Sequence, residues 1–299
     1  VPVGKSIRVY LADATVTGIR YAELVNWTGH AIACPRNRLS ELSNWQEASK
    51  PGVYFIFEGR FGDSKPLAYI GESENVLQRL TNHDRSKDFW NEAVIFTSKD
   101  ENLTKAHIKY LESSLVVLSK NADRYQLENG NMPPESSLPR ADRDAMAEFV
   151  ENIRMVLGIL GYQILEPILP VRTAVPVGDT ALMVAPEVPR VTDLTFSVNG
   201  LLAFGAMTDE GFVLKKGSQL SSTNTLSVPG RVAIIKERLL KDGLVAADGD
   251  RLVAITDILL TSSTYAAAIV AGTSRSGPQS WKTRDGKTLK ELEDALVQQ

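Results

Sequence analysis

The sequence predicts an α+β protein built as two domains, and three observations carry that prediction. Short strand-like runs, PGVYFIF at 51–57 and PLAYI at 66–70, alternate with segments whose apolar residues recur at helical spacing. A low-charge stretch punctuated by prolines divides the chain beyond its midpoint. The length of 299 residues is too great for one minimal domain and suits two. The expected boundaries are 1–162 for the first domain, with an N-terminal extension and a C-terminal helix, 163–193 for a linker, and 194–299 for an accessory domain.

The first domain is read in chain order. Residues 6–11 (SIRVYL) alternate as a strand, and 18–27 form a mixed segment ending near Trp27-Thr28-Gly29. Leu39, Leu42 and Trp45 set a short helix over 35–45. Three strands follow, Val53–Phe57, Leu67–Ile70 and Ala93–Thr97, with a helix at 74–83 between the second and third and Ser73 as its N-cap. A small three-stranded antiparallel sheet flanked by helices results. The clearest helix covers 102–120, apolar at Leu103, Ile108, Leu111, Leu115 and Leu118. Another covers 140–160, and its stripe of Met146, Phe149, Ile153, Val156, Leu157 and Leu160 needs a partner surface in this domain. Pro167, Pro170, Pro176, Pro186 and Pro189 then disfavour helix, which predicts an extended linker.

Composition excludes several classes. Net charge is −3, so no global basic field advertises nucleic acid, and a nucleic-acid contact requires a local groove. One cysteine, Cys34, and three histidines rule out a disulfide framework and a Cys/His zinc cluster. Cys34 reads as a small buried hydrophobe. No apolar run is long enough for a bilayer and no signal-peptide layout is seen, so a cytoplasmic setting without membrane contact is expected.

Chemistry concentrates between residues 50 and 132. Strand residues alternate faces, so Tyr54 and Tyr69 emerge together if the hairpin pairs them, with Gly52 and Gly71 leaving room for a ligand. The plainer account is that tyrosine suits strands and glycine marks strand ends. Arg79 and His83, four apart, share a helix face. A guanidinium offers forked donors to phosphate, although pairing with Glu72 or Glu74 is the structural alternative. Glu112 falls at the edge of the apolar stripe between Ile108 and Val116. A carboxylate there needs a partner, either a hard cation or a lysine such as Lys105 or Lys109.

In this order the residues resemble the GIY-YIG nuclease superfamily over roughly residues 50–132. GVY at 52–54 and YIG at 69–71 stand for the two name motifs, Arg79 for the arginine of the first helix and Glu112 for the metal-binding glutamate. His83 follows Arg79 as in several members, and Asn129, or alternatively Asn131, stands for the closing asparagine. The resemblance implies a metal-dependent endonuclease that hydrolyses DNA phosphodiester bonds, in defence, restriction or repair. Glu112 would hold a single Mg²⁺ or Mn²⁺, Arg79 would stabilise phosphate charge, and Tyr54 or Tyr69 would serve as base. A phenol is a poor base at its reference pKa of about 10, so the metal and Arg79 are expected to lower it. His83 and Asn129 would orient. One departure is that Glu72 stands where some members carry a lysine directly after YIG. The alternative function is a non-catalytic nucleic-acid-binding or protein-interaction module on the same scaffold. Double-strand cleavage would need a homodimer or two events, and a protein partner acting through the linker is left open.

The C-terminal region resembles a domain of unknown function appended to such nucleases, and the domain associated with restriction-type adenine methylases. Residues 262–271 read as a capped helix, and Trp281 with Asp285-Gly286 as a strand and turn. Lys215, Lys216, Arg275, Lys282 and Arg284 are candidates for backbone contacts, and Trp281 for stacking on a base. Residue by residue, a core tryptophan and a solvated charged face are the preferred account; collectively, and by analogy only, the region reads as a substrate-docking module.

Overall fold

The structure is a computed structural model that describes residues 4–59, 65–130, 137–169 and 193–297. It is mixed α+β and divides into two compact units, Pro2–Pro167 and Ile168–Gln299.

The first unit is organised around one sheet of seven strands: β1 (Ile7–Leu11), β2 (Arg20–Leu24), β3 (Gly29–Pro35), β4 (Gly52–Phe57), β5 (Leu67–Ser73), β6 (Glu92–Ser98) and β7 (Gln126–Leu127). Their order is β1-β2-β3-β6-β4-β5-β7, antiparallel throughout except that β7 runs parallel to β5. The expected three-stranded sheet is therefore only the β6-β4-β5 centre of a larger one. What enlarges it is the N-terminal segment, above all β3. Six of its seven residues are buried, so its sequence GHAIACP lacks the alternation by which a half-buried strand shows itself. Cys34 is fully buried there.

Both faces of the sheet are covered. Val53, Phe55, Phe57, Ile70 and Phe96 pack beneath α2 (Lys105–Ala122) and α3 (Arg140–Ile159), whose apolar stripe meets this same core. Tyr54, Ile56 and Ile95 face the opposite way, toward α1 (Val76–Ser86) and two 3₁₀ segments, Arg36–Asn44 and Gln46–Ser49. Asn75, not Ser73, caps α1, its side chain accepting from Gln78 N at 3.0 Å. The Ser73 hydroxyl instead closes a local turn with the Asn75 backbone. Thr104 and His107 form the capping box of α2. Residues 163–167, expected to begin the linker, belong to this unit. Ile164 and Leu165 are in its core, and Arg154 grips Glu166 with bonds of 2.9 and 2.6 Å. The rest of the expected linker, 170–192, lies outside the described residues.

The second unit has a four-stranded and a three-stranded antiparallel sheet. Its strands are β8 (Asp193–Val198), β9 (Leu201–Thr208), β10 (Gly211–Leu214), β11 (Gln219–Ser221), β12 (Val245–Asp248), β13 (Arg251–Ala254) and β14 (Ile258–Leu260), ordered β14-β10-β9-β8 and β11-β13-β12. Helix α4 (Gly230–Lys241) precedes β12, and α5 (Ser263–Ala271), α6 (Gly277–Ser280) and α7 (Leu289–Val297) complete the chain. Ser262 caps α5 as expected, accepting from Tyr265 N at 3.2 Å, and the alanine-rich α5 is buried in the core. Around Trp281 there is no full strand. Lys282 instead forms isolated bridges to Thr195 and Thr288 across the turn containing Gly286, whose φ is +81°. Among the described residues no helix is long and apolar enough to cross a membrane.

Candidate active site

The β4–β5 register sets Tyr54 opposite Gly71 and Ile56 opposite Tyr69, so both tyrosines lie on the sheet face that α1 covers. Their ring centroids are 6.2 Å apart. Gly71 makes this arrangement possible, because a Cβ at that position would run into the Tyr54 phenol and come within 2.9 Å of Tyr69 Cε1. The room at Gly71 is therefore filled by Tyr54 itself. At Gly52 it is filled by Phe96 O and by Thr97 Cγ2 at 2.7 Å. Neither glycine leaves the expected opening for a ligand; each admits a close neighbour of its own fold.

Helix α1 supplies the next two groups. The Tyr54 hydroxyl lies 2.8 Å from His83 Nε2, and the His83 ring sits 5.2 Å from that of Tyr69. Exposed Arg79 brings its guanidinium within hydrogen-bonding reach of both phenol oxygens. Of its alternative partners, Glu74 pairs instead with Lys105 at 2.8 Å. A guanidinium only donates, so the Tyr54 oxygen accepts from Arg79 and is free to donate its own proton to His83. Burial, then Arg79 and Lys87, hold the imidazole down at about 4, so His83 is neutral near pH 7 and can accept that proton. Tyr54 is fully buried, and burial raises its phenol well above the ordinary range despite Arg79. Arg79 does lower the phenol, as expected, but burial outweighs it, so without a metal Tyr54 holds its proton unless a neighbour removes it.

Glu112 comes from α2, whose Leu111 and Leu115 lock into the core. Its carboxylate is half-buried and, among the described residues, takes part in no hydrogen bond or ion pair. Lys105 is occupied by Glu74, and Lys109 acts only at longer range. Burial first, then Glu72, push Glu112 up to about 7, opposed by Arg79 and Lys109. Glu112 is also felt at Tyr54, which ties it to the tyrosine cluster. A half-buried carboxylate without a partner, beside a second carboxylate, is an oxygen donor set that suits Mg²⁺ or Mn²⁺. Among the described residues no group of three or more His, Cys, Asp or Glu could hold a metal. Glu112 would therefore leave most coordination positions to water and phosphate.

Asn129 closes the cluster from behind. Its side chain accepts from Ile70 N at 3.1 Å and donates to Ile70 O at 2.7 Å, which pins β5 between Tyr69 and Gly71. The alternative, Asn131, lies outside the described residues. Sequence reasoning missed Lys87, whose Nζ sits 4.6 Å from the Tyr69 ring centroid. The signal was present, since Lys87 continues the four-residue step from Arg79 to His83. A cleft of about 780 Å³ opens on a different flank of α1, lined by Arg36, Leu77, Thr81, Asp84 and Trp90, and holds none of the tyrosine cluster.

The second-unit candidates behave differently. Trp281 is fully buried, packs against Phe196 and Phe212, and donates its indole N–H to Ser263 O at 3.0 Å. It cannot stack on a base without leaving the core, which corrects that expectation. Lys215 pairs with Asp193, whose carboxyl also feels Arg284. Lys216 and Lys282 are exposed, and Lys216 is anchored only through its backbone N–H, 2.8 Å from Asp257 Oδ1.

Comparison with known proteins adds one finding. Residues 194–293 match the model of a domain of unknown function, DUF4357. The match covers the second unit and leaves the tyrosine cluster untouched. No curated protein and no solved structure matches the chain.

Proposed function

We propose that the first unit is a GIY-YIG-type metal-dependent nuclease that hydrolyses a phosphodiester bond of DNA. The observation that carries this reading is the meeting of two phenols, a guanidinium, a neutral imidazole and an unpaired, half-buried carboxylate at one site. A binding module would need the cation but would have no use for an unpartnered Glu112, since burying such a group without a partner is unfavourable.

In this reading the Arg79 guanidinium holds the scissile phosphate and stabilises the charge that grows on its oxygens. As water attacks phosphorus, its proton passes to the Tyr54 oxygen while the Tyr54 proton moves to His83 Nε2. The bond from phosphorus to the leaving strand oxygen breaks, and that oxygen keeps the electron pair and takes a proton from solvent water. The tyrosine and histidine thus act as one base, so that the buried phenol need not carry a charge of its own. Tyr69 flanks the phosphate on the Arg79 side, and Asn129 keeps β5 in register. Glu112 would hold a divalent metal, which when bound polarises the phosphate and assists the leaving oxygen.

The test is plasmid nicking with Mg²⁺ or Mn²⁺, comparing the wild type with Glu112→Ala and Arg79→Ala. Each variant is expected to lose activity by about 100-fold or more, as when one preorganised charge-stabilising group is removed. Equal behaviour of all three proteins would overturn the nuclease reading.

A further inference from the structure

Helix α1 sorts its ionisable residues onto two flanks. On the flank that carries the cleft, Asp84 binds Arg36 at 2.7 Å and Asp88 meets the same guanidinium at 3.6 Å. Both acids near the helix end are thereby engaged away from the tyrosines. The other flank carries Arg79 and His83 one helical step apart, and Lys87 follows as the C-cap, where the backbone turns extended. The Lys87 ammonium lies 4.6 Å from the Tyr69 ring centroid and 6.0 Å from that of Phe89. Among the described residues no carboxylate stands within ion-pair distance of it.

Several other cations of the same unit are neutralised where they stand. Arg20 pairs with Glu92, Lys99 with Glu23, and Lys105 with Glu74. A lysine can rest on a phenol face with no further ligand, so the ring contact alone assigns nothing. What sets Lys87 apart is its position. It is half-buried against Tyr69, has no counter-charge among the described residues, and stands at the C-cap of α1, where the backbone turns extended eight residues beyond Arg79.

We propose that Lys87 is a second phosphate-binding cation of this site, holding the same nucleic-acid strand at a backbone phosphate several nucleotides from the one at Arg79. The proposal rests on the nuclease reading above. From Arg79 to the C-cap Lys87 the helix axis rises by roughly 12 Å, and one B-form strand advances about 3.4 Å per nucleotide, so the two cations span on the order of three to four nucleotides. α1 then works as a rail: Arg79 at the scissile phosphate, Lys87 downstream along the backbone. Neither contact reads a base, so Lys87 adds affinity and register without sequence preference. A phosphate at Lys87 would also fix the Tyr69 ring beneath it.

The experiment uses the full chain and a fluorescein-labelled DNA duplex in EDTA, with binding followed by anisotropy over a range of KCl concentrations. Lys87→Met keeps an apolar stem on Tyr69 and Phe89, Lys87→Gln is a second neutral variant, and Lys87→Arg keeps the charge. Both neutral variants are expected to bind about three- to tenfold more weakly at ~0.1 M salt. The slope of log affinity against log salt should become shallower by about 0.9, the loss of one phosphate contact on duplex DNA. Lys87→Arg should follow the wild type. With Mn²⁺ present, the neutral variants should raise KM more than they lower kcat. If the wild type binds and nicks but the neutral variants keep its affinity and slope, Lys87 is a ring contact only and the inference fails alone. If the wild type neither binds nor nicks, the nuclease reading fails and the inference with it.

Discussion

The two units of this protein treat their polar and aromatic candidates in opposite ways. In the second, Lys216 and Lys282 lie exposed, and the more enclosed candidates are answered by their own fold. Trp281 is enclosed and hydrogen-bonded, Lys215 pairs with Asp193, and Lys236, buried on α4, donates to Asn224 Oδ1 at 2.9 Å. In the first, Arg79 reaches toward two phenols, and among the described residues Glu112 has no partner and Lys87 no counter-charge. The contrast teaches where chemistry is available. A residue whose hydrogen bonds and charge are satisfied inside the fold is a support; one left incomplete beside a cluster of titratable groups is a candidate for work.

The largest effect that could break this contrast concerns Trp281. Trp281→Ala should cost about 3–5 kcal/mol of unfolding free energy, the range for removing a large buried aromatic. Chemical denaturation followed by circular dichroism measures it. An intact, equally stable variant with weakened DNA binding would show instead that Trp281 is a contact residue.

A smaller effect separates two histidines of the first unit. His30 is fully buried, bonded to Thr97 Oγ1 at 2.8 Å, with its Nδ1 lacking a partner, and burial lowers it to about 4. Its folded value lies below the unfolded value near 6.5, so the unfolded chain binds the extra proton first. The stability it contributes is present above pH 6.5 and is lost as pH falls toward 4. His30→Gln should therefore flatten the stability profile between pH 6.5 and 4 by up to roughly 3 kcal/mol. Urea titrations at pH 7.5 and 5.0 would check this, and an unchanged profile would show that His30 protonates without cost. Unlike His83, it has no link to the tyrosines, so nicking activity at pH 7.5 should stay as it is.

The smallest shift is the sharpest for the site. Glu112 is raised from the usual carboxylate range to about 7, so the stability its neutral form allows is present below pH 4.5 and lost as pH rises through 7. Glu112→Gln removes that loss. Above pH 7.5 the variant should be more stable than the wild type, by on the order of 1 kcal/mol after allowance for its partial exposure. Thermal melts at pH 5 and pH 8, without divalent metal, test the sign. A destabilised variant at pH 8 would mean that Glu112 supports the fold.

Legibility followed locality. The strands at 53–57, 67–70 and 93–97, the helices at 102–120 and 140–160, and the Ser262 cap were open to pattern reading because each depends on neighbours a few residues away. β3 escaped because burial on both faces erases alternation. The cap of α1 was misplaced because Ser73 and Asn75 are both good cap residues and only the backbone at Asn75 selects between them. At the candidate site, the sequence offered Tyr54, Tyr69, Arg79, His83 and Glu112 as a set. It also offered Gly52, Gly71 and Trp281 as contact points, and the fold uses these for packing.

The amino-acid sequence by itself determined the residue types that chemistry would require, their order, and most of the elements that carry them. Tertiary structure decided which of them remain available. Burial, which no local pattern encodes, raises the Tyr54 phenol, holds His83 neutral at 2.8 Å from it, and lifts Glu112 toward neutrality. It also closes Trp281 into a core. The physical reason is the same in each case: the free energy of a charge or a ring depends on what surrounds it, and those surroundings arrive from residues distant in the chain.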